Sequence, residues 1–440
     1  MEGKKKRIPT WLVFLGLVVS LPFLVAGALW EYMNATAVPL HPVAEKVPSE
    51  ASTAPLPRWA DSSQQSRELI RAVLAEQNLP GVSVAVGAGG DIVWAEGFGF
   101  ADIENQAKVT PATRFRIGTA SIALTSAAAG LLIEEGRLKL DEKIQTYVPE
   151  YPEKPWPVTL RQLMAHVAAV GSDGGDEGPL FTQHCPRPMD ALRFFAKDSL
   201  RFEPGTDYRH SSYGWILVSV AVEAAANEPF LSFMGRRILG PLGMGDTLPD
   251  AAIVDPGTGE YKTVPAQGQA ASYFPRFAGD PRYGPDPMRP LEYSCYAGSS
   301  VFVSTPTDLA RFAMGIHSGK LLQPQTVKVL QTSQRLRSGQ ETGYGLGWSR
   351  APVAFAFRET EVIGHDGEPA RRDGHFLHDI SRVRRGRGRG VEYLVRGHPL
   401  DGGESRRGLR ATRQGAAPPS AWDRTGRGAG AKTLNCALHV

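Results

Sequence analysis

The stretch from Arg114 to Glu135 constrains this chain most. Small residues, Gly118 to Ala123, lead into an Ala/Leu run in which Leu124, Ala127, Ala128, Leu131 and Leu132 recur at helical spacing. That spacing predicts a helix with one broad apolar face, and its alanine content predicts close packing. Gly136 after Glu134-Glu135 reads as the stop. A short polar side chain at the head of a close-packed helix is either a cap or a rigidly held nucleophile, and Thr119 and Ser121 both qualify.

The length of 440 residues allows one large domain or two smaller ones. The net charge of +4 conceals an asymmetry. Residues 371–440 hold 14 Arg and one Lys against six Asp/Glu, a surplus of +9 that leaves −5 for the rest. The basic character therefore belongs to one terminal segment, and no nucleic-acid partner is expected for the domain. An RGG-like arm is the competing reading of that segment, at odds with a domain outside the cytoplasm. The three cysteines have no metal-ligand spacing, so no metal is expected. Cys185 and Cys295 either pair, in an oxidising compartment, or are two free buried thiols.

Along the chain, residues 1–30 read as a membrane anchor or signal. Lys4-Lys-Lys-Arg7 precedes 20 residues, Trp11 to Trp30, without a charge, long enough to span a bilayer. The flanking charge predicts a cytoplasmic N-terminus and a domain on the extracytoplasmic, periplasmic side. The alternative is secretion after cleavage at Ala35-Thr36-Ala37. Residues 31–61 read as a Pro/Ala-rich linker. The globular domain is placed at 62–368, with a helix from Arg67 to Leu79 and a hairpin of Val82–Val86 and Ile92–Glu96 around Gly87-Ala-Gly-Gly-Asp91. Helices follow after Thr159, from Trp215 to Ala226, and after Ser304-Thr-Pro. Residues 369–440 form an Arg/Gly-rich low-complexity tail, with 12 Gly between 371 and 440. Such a composition buries too little apolar surface to offset its chain entropy, so disorder is expected.

Between about residues 65 and 367 the chain resembles the serine β-lactamase-like family: class C β-lactamases, penicillin-binding proteins and related esterases and peptidases. The resemblance is carried by Phe115-Arg-Ile-Gly118, Glu134-Glu-Gly-Arg-Leu-Lys-Leu-Asp141, Thr159-Leu-Arg-Gln-Leu-Met-Ala-His166 and Phe202-Glu-Pro-Gly205 leading into Tyr213-Gly-Trp215. It continues through Gly298-Ser-Ser-Val-Phe-Val-Ser-Thr-Pro-Thr-Asp-Leu-Ala310, Tyr344-Gly-Leu-Gly-Trp348 and Gly364-His-Asp-Gly367. Each is weak alone; seven in the family's order are specific. Ser172-Asp-Gly-Gly-Asp176 looks most like the subgroup of the mitochondrial β-lactamase-like protein and its bacterial relatives.

The resemblance implies an α/β sandwich (α+β): a central antiparallel sheet flanked by helices, with a mostly helical second lobe from about 140 to 290. The C-terminal sheet strands are expected to be missing, replaced by the Arg/Gly segment. The implied chemistry is that of a serine-type hydrolase acting on amide or ester bonds through an acyl-enzyme, without metal or organic cofactor. The partners would be a small-molecule or peptide substrate, and the membrane through the N-terminal helix. That chemistry uses Ser-x-x-Lys, Tyr-x-Asn and Lys/His-Thr-Gly. Here Thr119 stands at the nucleophile position and Ile122 at the lysine position; starting from Ser121 puts Leu124 there. His210 replaces the tyrosine and Ser212 the asparagine; an imidazole titrates in the right range for a base. Among these residues His365-Asp366-Gly367 keeps the third pattern best and is the expected substrate-binding edge, with Ser212. A catalytically inactive binding or scaffold module is the alternative function.

Overall fold

The computed structural model describes residues 10–53, 55–172, 179–250, 253–254, 261–262, 268–278, 281–288, 291–355 and 358–367. Near the C-terminus it describes the strand residues 378–381, 383–384, 391–392 and 434–439. Asp173–Asp176 and most of the Arg/Gly segment lie outside the described residues.

The expected hairpin forms as β2 (Gly81–Ala88) and β3 (Asp91–Asp102), turning on Gly89 and Gly90 at positive φ. Alternation along its strands sorts side chains to two faces. Val82, Val84, Trp94 and Phe98 pack with Leu74, Ile70 and Val73 of α2 (Ala60–Glu76). Ala85 and Ala95 join the main core on the other face. The stretch read as linker is not all linker: β1 (Ser49–Thr53) pairs antiparallel with the outer edge of β3.

Further strands of the same sheet include β4 (Ser349–Phe355), β5 (Arg358–Gly367), β6 (His378–Ser381) and β7 (Leu434–His439). The sheet runs β1-β3-β2-β7-β6-β5, with β4 also hydrogen-bonded to β5, and these pairings are antiparallel. This corrects the expectation of missing C-terminal strands. β7 lies between β2 and β6 in a register from Leu434 opposite Ala88 to His439 opposite Ser83, and β6 flanks the His365–Gly367 end of β5. Low-complexity sequence around these two segments hid them.

Behind the sheet, α3 (Ser121–Glu134) is buried from Ser121 to Leu132 on every side, not on one broad face. It packs on α5 (Ser212–Ala226), itself buried from Tyr213 to Val222, and α4 (Leu160–Met164) lies against α5. Thr159 caps α4 in a reciprocal pair with Gln162. Helix α6 (Pro306–His317), capped by Thr305, packs against β2. Cys185 and Cys295 form a disulfide, which decides between the two readings of these cysteines.

Ser126 in mid-α3 shows why the Tyr344–Trp348 motif has its form. Its Oγ donates to the Leu346 carbonyl at 2.6 Å and accepts from the Trp348 indole at 3.1 Å. Gly347 (φ +92°) lies so close that a Cβ there would stand 2.7 Å from Ser126 and 2.8 Å from Trp215. That approach admits glycine alone without a shift.

Candidate active site

A single tight turn, Gly118–Ala120, delivers Thr119 to the head of α3, with Gly118 at φ +49°. The site forms where this turn meets the end of β5. The Thr119 hydroxyl donates to the Asp366 backbone carbonyl at 2.9 Å. His365 Nδ1 lies 2.7 Å from the same oxygen, so Nδ1 carries the proton and donates. His365 Nε2 is then the acceptor for the Tyr344 hydroxyl, at 2.7 Å. Three side chains from distant parts of the chain thus converge around one carbonyl.

Burial sets the protonation of this group. It pushes the Tyr344 phenol well above its usual range, with Tyr208 and Asp366 adding to the shift. It lowers the His365 imidazole, opposed by the Asp366 carbonyl and carboxylate. Near neutral pH the pair is a phenol donating to a neutral imidazole.

A second imidazole pair lies beside it. His166, at φ +59° just past α4, is buried; its Nδ1 accepts from the Ser211 amide at 3.0 Å. Its Nε2 has no hydrogen-bond partner among the described residues. The ring lies 4.5 Å from that of His210 and 4.9 Å from that of Tyr344, centroid to centroid. Burial, then His210 and His365, hold His166 well below the usual imidazole range. His210 is pushed down to about 4 by the surrounding protein and by His365. His210 is nonetheless an exposed residue, and with its imidazole shifted down it is neutral at pH 7.

The structure therefore brings Thr119, His365, Asp366 and Gly367 together, with His210 connected to them through the rings of His166 and Tyr344. The Ser121 side chain is fully buried and its Oγ accepts from the Phe302 amide at 3.4 Å. Ile122 is fully buried in the main core. Ser212 is the half-buried first residue of α5, and Ser211 makes the cap, its Oγ accepting from Gly214 N at 2.9 Å and donating to Gly171 O at 2.7 Å. His166 and Tyr344 stood inside recognised motifs without an assigned role. The available signal was a histidine ending a capped apolar helix and a tyrosine opening a glycine-rich turn. Among the described residues no group of His, Cys, Asp and Glu could hold a metal ion.

The β-lactamase family model matches residues 67–411. The chain belongs to the β-lactamase family. Among curated proteins it is 28% identical over 246 residues to the serine β-lactamase-like protein LACTB, mitochondrial, of Homo sapiens, covering 40% of this chain and 45% of that protein. It is 27% identical over 191 residues to protein flp of Staphylococcus aureus strain N315, covering 42% and 38%. The chain spans less than half the length of these relatives. A D-amino acid amidase from Ochrobactrum anthropi SV3 superposes with a TM-score of 0.57 at 22% identity, covering 73% of this chain and 88% of that one. The octameric penicillin-binding protein homologue from Pyrococcus abyssi gives 0.56 at 22% identity, covering 73% and 70%. At these identities the structural likeness establishes the fold. The family match, not the structural likeness, makes this chain a relative of the β-lactamases.

Proposed function

We propose that this chain binds an amide- or ester-bearing substrate at the junction of Thr119 and β5, and turns it over slowly or not at all. One observation carries the reading: the buried Ile122 stands one helical turn after Thr119, where the family has an ammonium, while the Thr119 hydroxyl donates to a backbone carbonyl. A hydroxyl whose hydrogen bond is directed at a carbonyl rather than at a base is not primed for attack. Its extra methyl also restricts χ1 and crowds the approach. A labelled acyl-phosphonate probe tests this. No adduct is expected on the native chain, and an adduct at position 119 is expected once Thr119→Ser and Ile122→Lys are combined. Rapid labelling of the native chain, abolished by Thr119→Ala, would overturn the reading.

A second reading, weak hydrolysis, is favoured by the shared carbonyl. Thr119 Oγ1 and His365 Nδ1 both donate to one carbonyl oxygen, so a neutral imidazole stands beside the candidate hydroxyl and supports a general-base reading. General-base help of this kind is typically worth about 10²–10⁴ in rate. Residual ester turnover should then fall to background in both Thr119→Ala and His365→Gln.

We further propose that α1 (Thr10–Ala35) anchors the chain with the domain on the extracytoplasmic side. Among the described residues α1 is long and apolar enough to cross a membrane. Support for the side comes from Lys4–Arg7 before it and from the disulfide, which persists in oxidising compartments.

A further inference from the structure

Immediately after α1 the chain is strapped to the domain. Thr36 accepts from Arg276 Nη1 at its carbonyl, 2.9 Å. The Val38 carbonyl accepts from Asn78 Nδ2 at 3.2 Å, and the Leu40 amide donates to Asn78 Oδ1 at 2.7 Å. His41 Nε2 lies 3.1 Å from the carbonyls of both Leu79 and Pro80, and its ring stacks on Phe100. No slack separates the helix from the fold.

The helix end itself looks interfacial. Trp30 and Tyr32 are exposed on its last two turns, and such rings sit at headgroup level when a helix spans a bilayer. Asn34 and Thr36 side chains return hydrogen bonds to the Trp30 and Tyr32 carbonyls at 2.8 and 2.7 Å. Against Tyr32, edge to face at 6.2 Å, stands Phe277. It is 42% exposed and sits at φ +60°, a left-handed conformation uncommon for a bulky residue. Each headgroup layer is roughly 5–8 Å deep, and the 6.2 Å between the Phe277 and Tyr32 rings is within that depth. Arg276 serves as the clamp, paired also with Asp286 at 3.8 Å. Arg282, exposed on the same loop, stacks over Tyr283 at 4.9 Å.

We infer that this face rests on the bilayer, with Phe277 in the headgroup layer and Arg282 against anionic lipid phosphate. The inference relies on α1 as a membrane anchor, but it concerns how the domain is held once anchored. Arginine beside an interfacial aromatic is suited to that surface, and the docked exit segment fixes the domain's orientation to the membrane.

The full chain is reconstituted in vesicles of phosphatidylcholine and phosphatidylglycerol, with a fluorescent amino acid at position 277, at 282, or at the exposed Val329 on the helix Pro324–Gln331. Headgroup spin-labelled lipid is expected to quench positions 277 and 282 several-fold more than 329. Arg282→Glu should lower the quenching at 277 in anionic vesicles and leave it unchanged in neutral ones. If all three positions are quenched equally while the chain floats with the vesicles, the docked face is wrong and the anchor stands. If the chain does not float, both are wrong. Probes at 277 and 282 perturb different residues, so agreement between them separates docking from a local folding defect.

Discussion

Thr119 donates its hydroxyl hydrogen bond to the Asp366 carbonyl, and on the proposed reading the fully buried Ile122 stands where the family has its ammonium. Both changes must be reversed for attack to resume, because groups that act as a unit fail together; losing one key member costs on the order of 10⁶ in rate. Thr119→Ser with Ile122→Lys is expected to raise generic ester turnover by several orders of magnitude, and far more than either single change. Steady-state turnover of the four proteins checks this; turnover in the native chain that survives Thr119→Ala would move the chemistry elsewhere. The histidines give a second prediction. His166, His210 and His365 all titrate below their ordinary range in the fold, His210 at about 4. In the unfolded chain each takes up a proton near 6.5. As pH falls below that value the unfolded state binds more protons, so stability present at pH 7 is lost progressively toward pH 4. Thermal melts should fall across this window, and His166→Gln should shallow the slope. An unchanged slope in that variant would show that His166 titrates normally. Thr119, Ile122 and His365 were legible because contiguous motifs carry them. The contacts of His166 with His210, and of Tyr344 with His365, were not, because only the folded backbone brings those segments together.

Helix α3 was legible as an element, and its depth was not. The Leu/Ala spacing reports one apolar face, but glycine and serine carry no periodic signal, and they face other elements at close range. Ser126 is the case in point, satisfying both the Leu346 carbonyl and the Trp348 indole. Ser126→Ala removes the partner of two buried polar groups, each worth about 1–3 kcal/mol when left unsatisfied. Urea melts should show a loss of about 2–6 kcal/mol on that basis, against less than about 0.5 kcal/mol for Ser66→Ala, half-buried with its hydroxyl bond at the surface. A loss equal to that of Ser66→Ala would mean the turn Tyr344–Trp348 docks without this hydroxyl. Strand β1 was missed for a related reason. Ser49-Glu-Ala-Ser-Thr53 has no hydrophobic alternation, since an edge strand here is held by its backbone pairing with β3 rather than by a buried face.

At the scale of the molecule, the sandwich of sheet and helices follows from the family motifs, whereas the closing of the sheet lies in the segment whose composition reads as disordered. Composition averages over a window, and six strand residues inside an Arg/Gly-rich run disappear in the average. The disulfide ties positions 110 residues apart; Cys185→Ser with Cys295→Ser should cost about 2–4 kcal/mol, read as a lower Tm, and an unchanged Tm would mark the bridge as dispensable. The heaviest structural demand falls on β7. Leu434–His439 pairs with β2 on one side, and its residues Cys436–Leu438 pair with β6 on the other. Without it, β2 becomes an open edge and β6 with β5 loses its bridge to the hairpin, leaving a row of unpaired amides and carbonyls in mid-sheet. Proline is excluded from such interior positions because it removes a ladder hydrogen bond. Deleting residues 434–440, or making Ala437→Pro in the full chain, is therefore expected to lower the melting temperature and broaden the transition, and to leave the His365 end of β5 less ordered. Hydrogen exchange at Val84, Val86 and His365 reads this directly: faster exchange in both variants is the expected result. A cooperative melt and exchange rates unchanged in both would show that the sheet closes without β7, and would return the C-terminal segment to the disordered tail its composition describes.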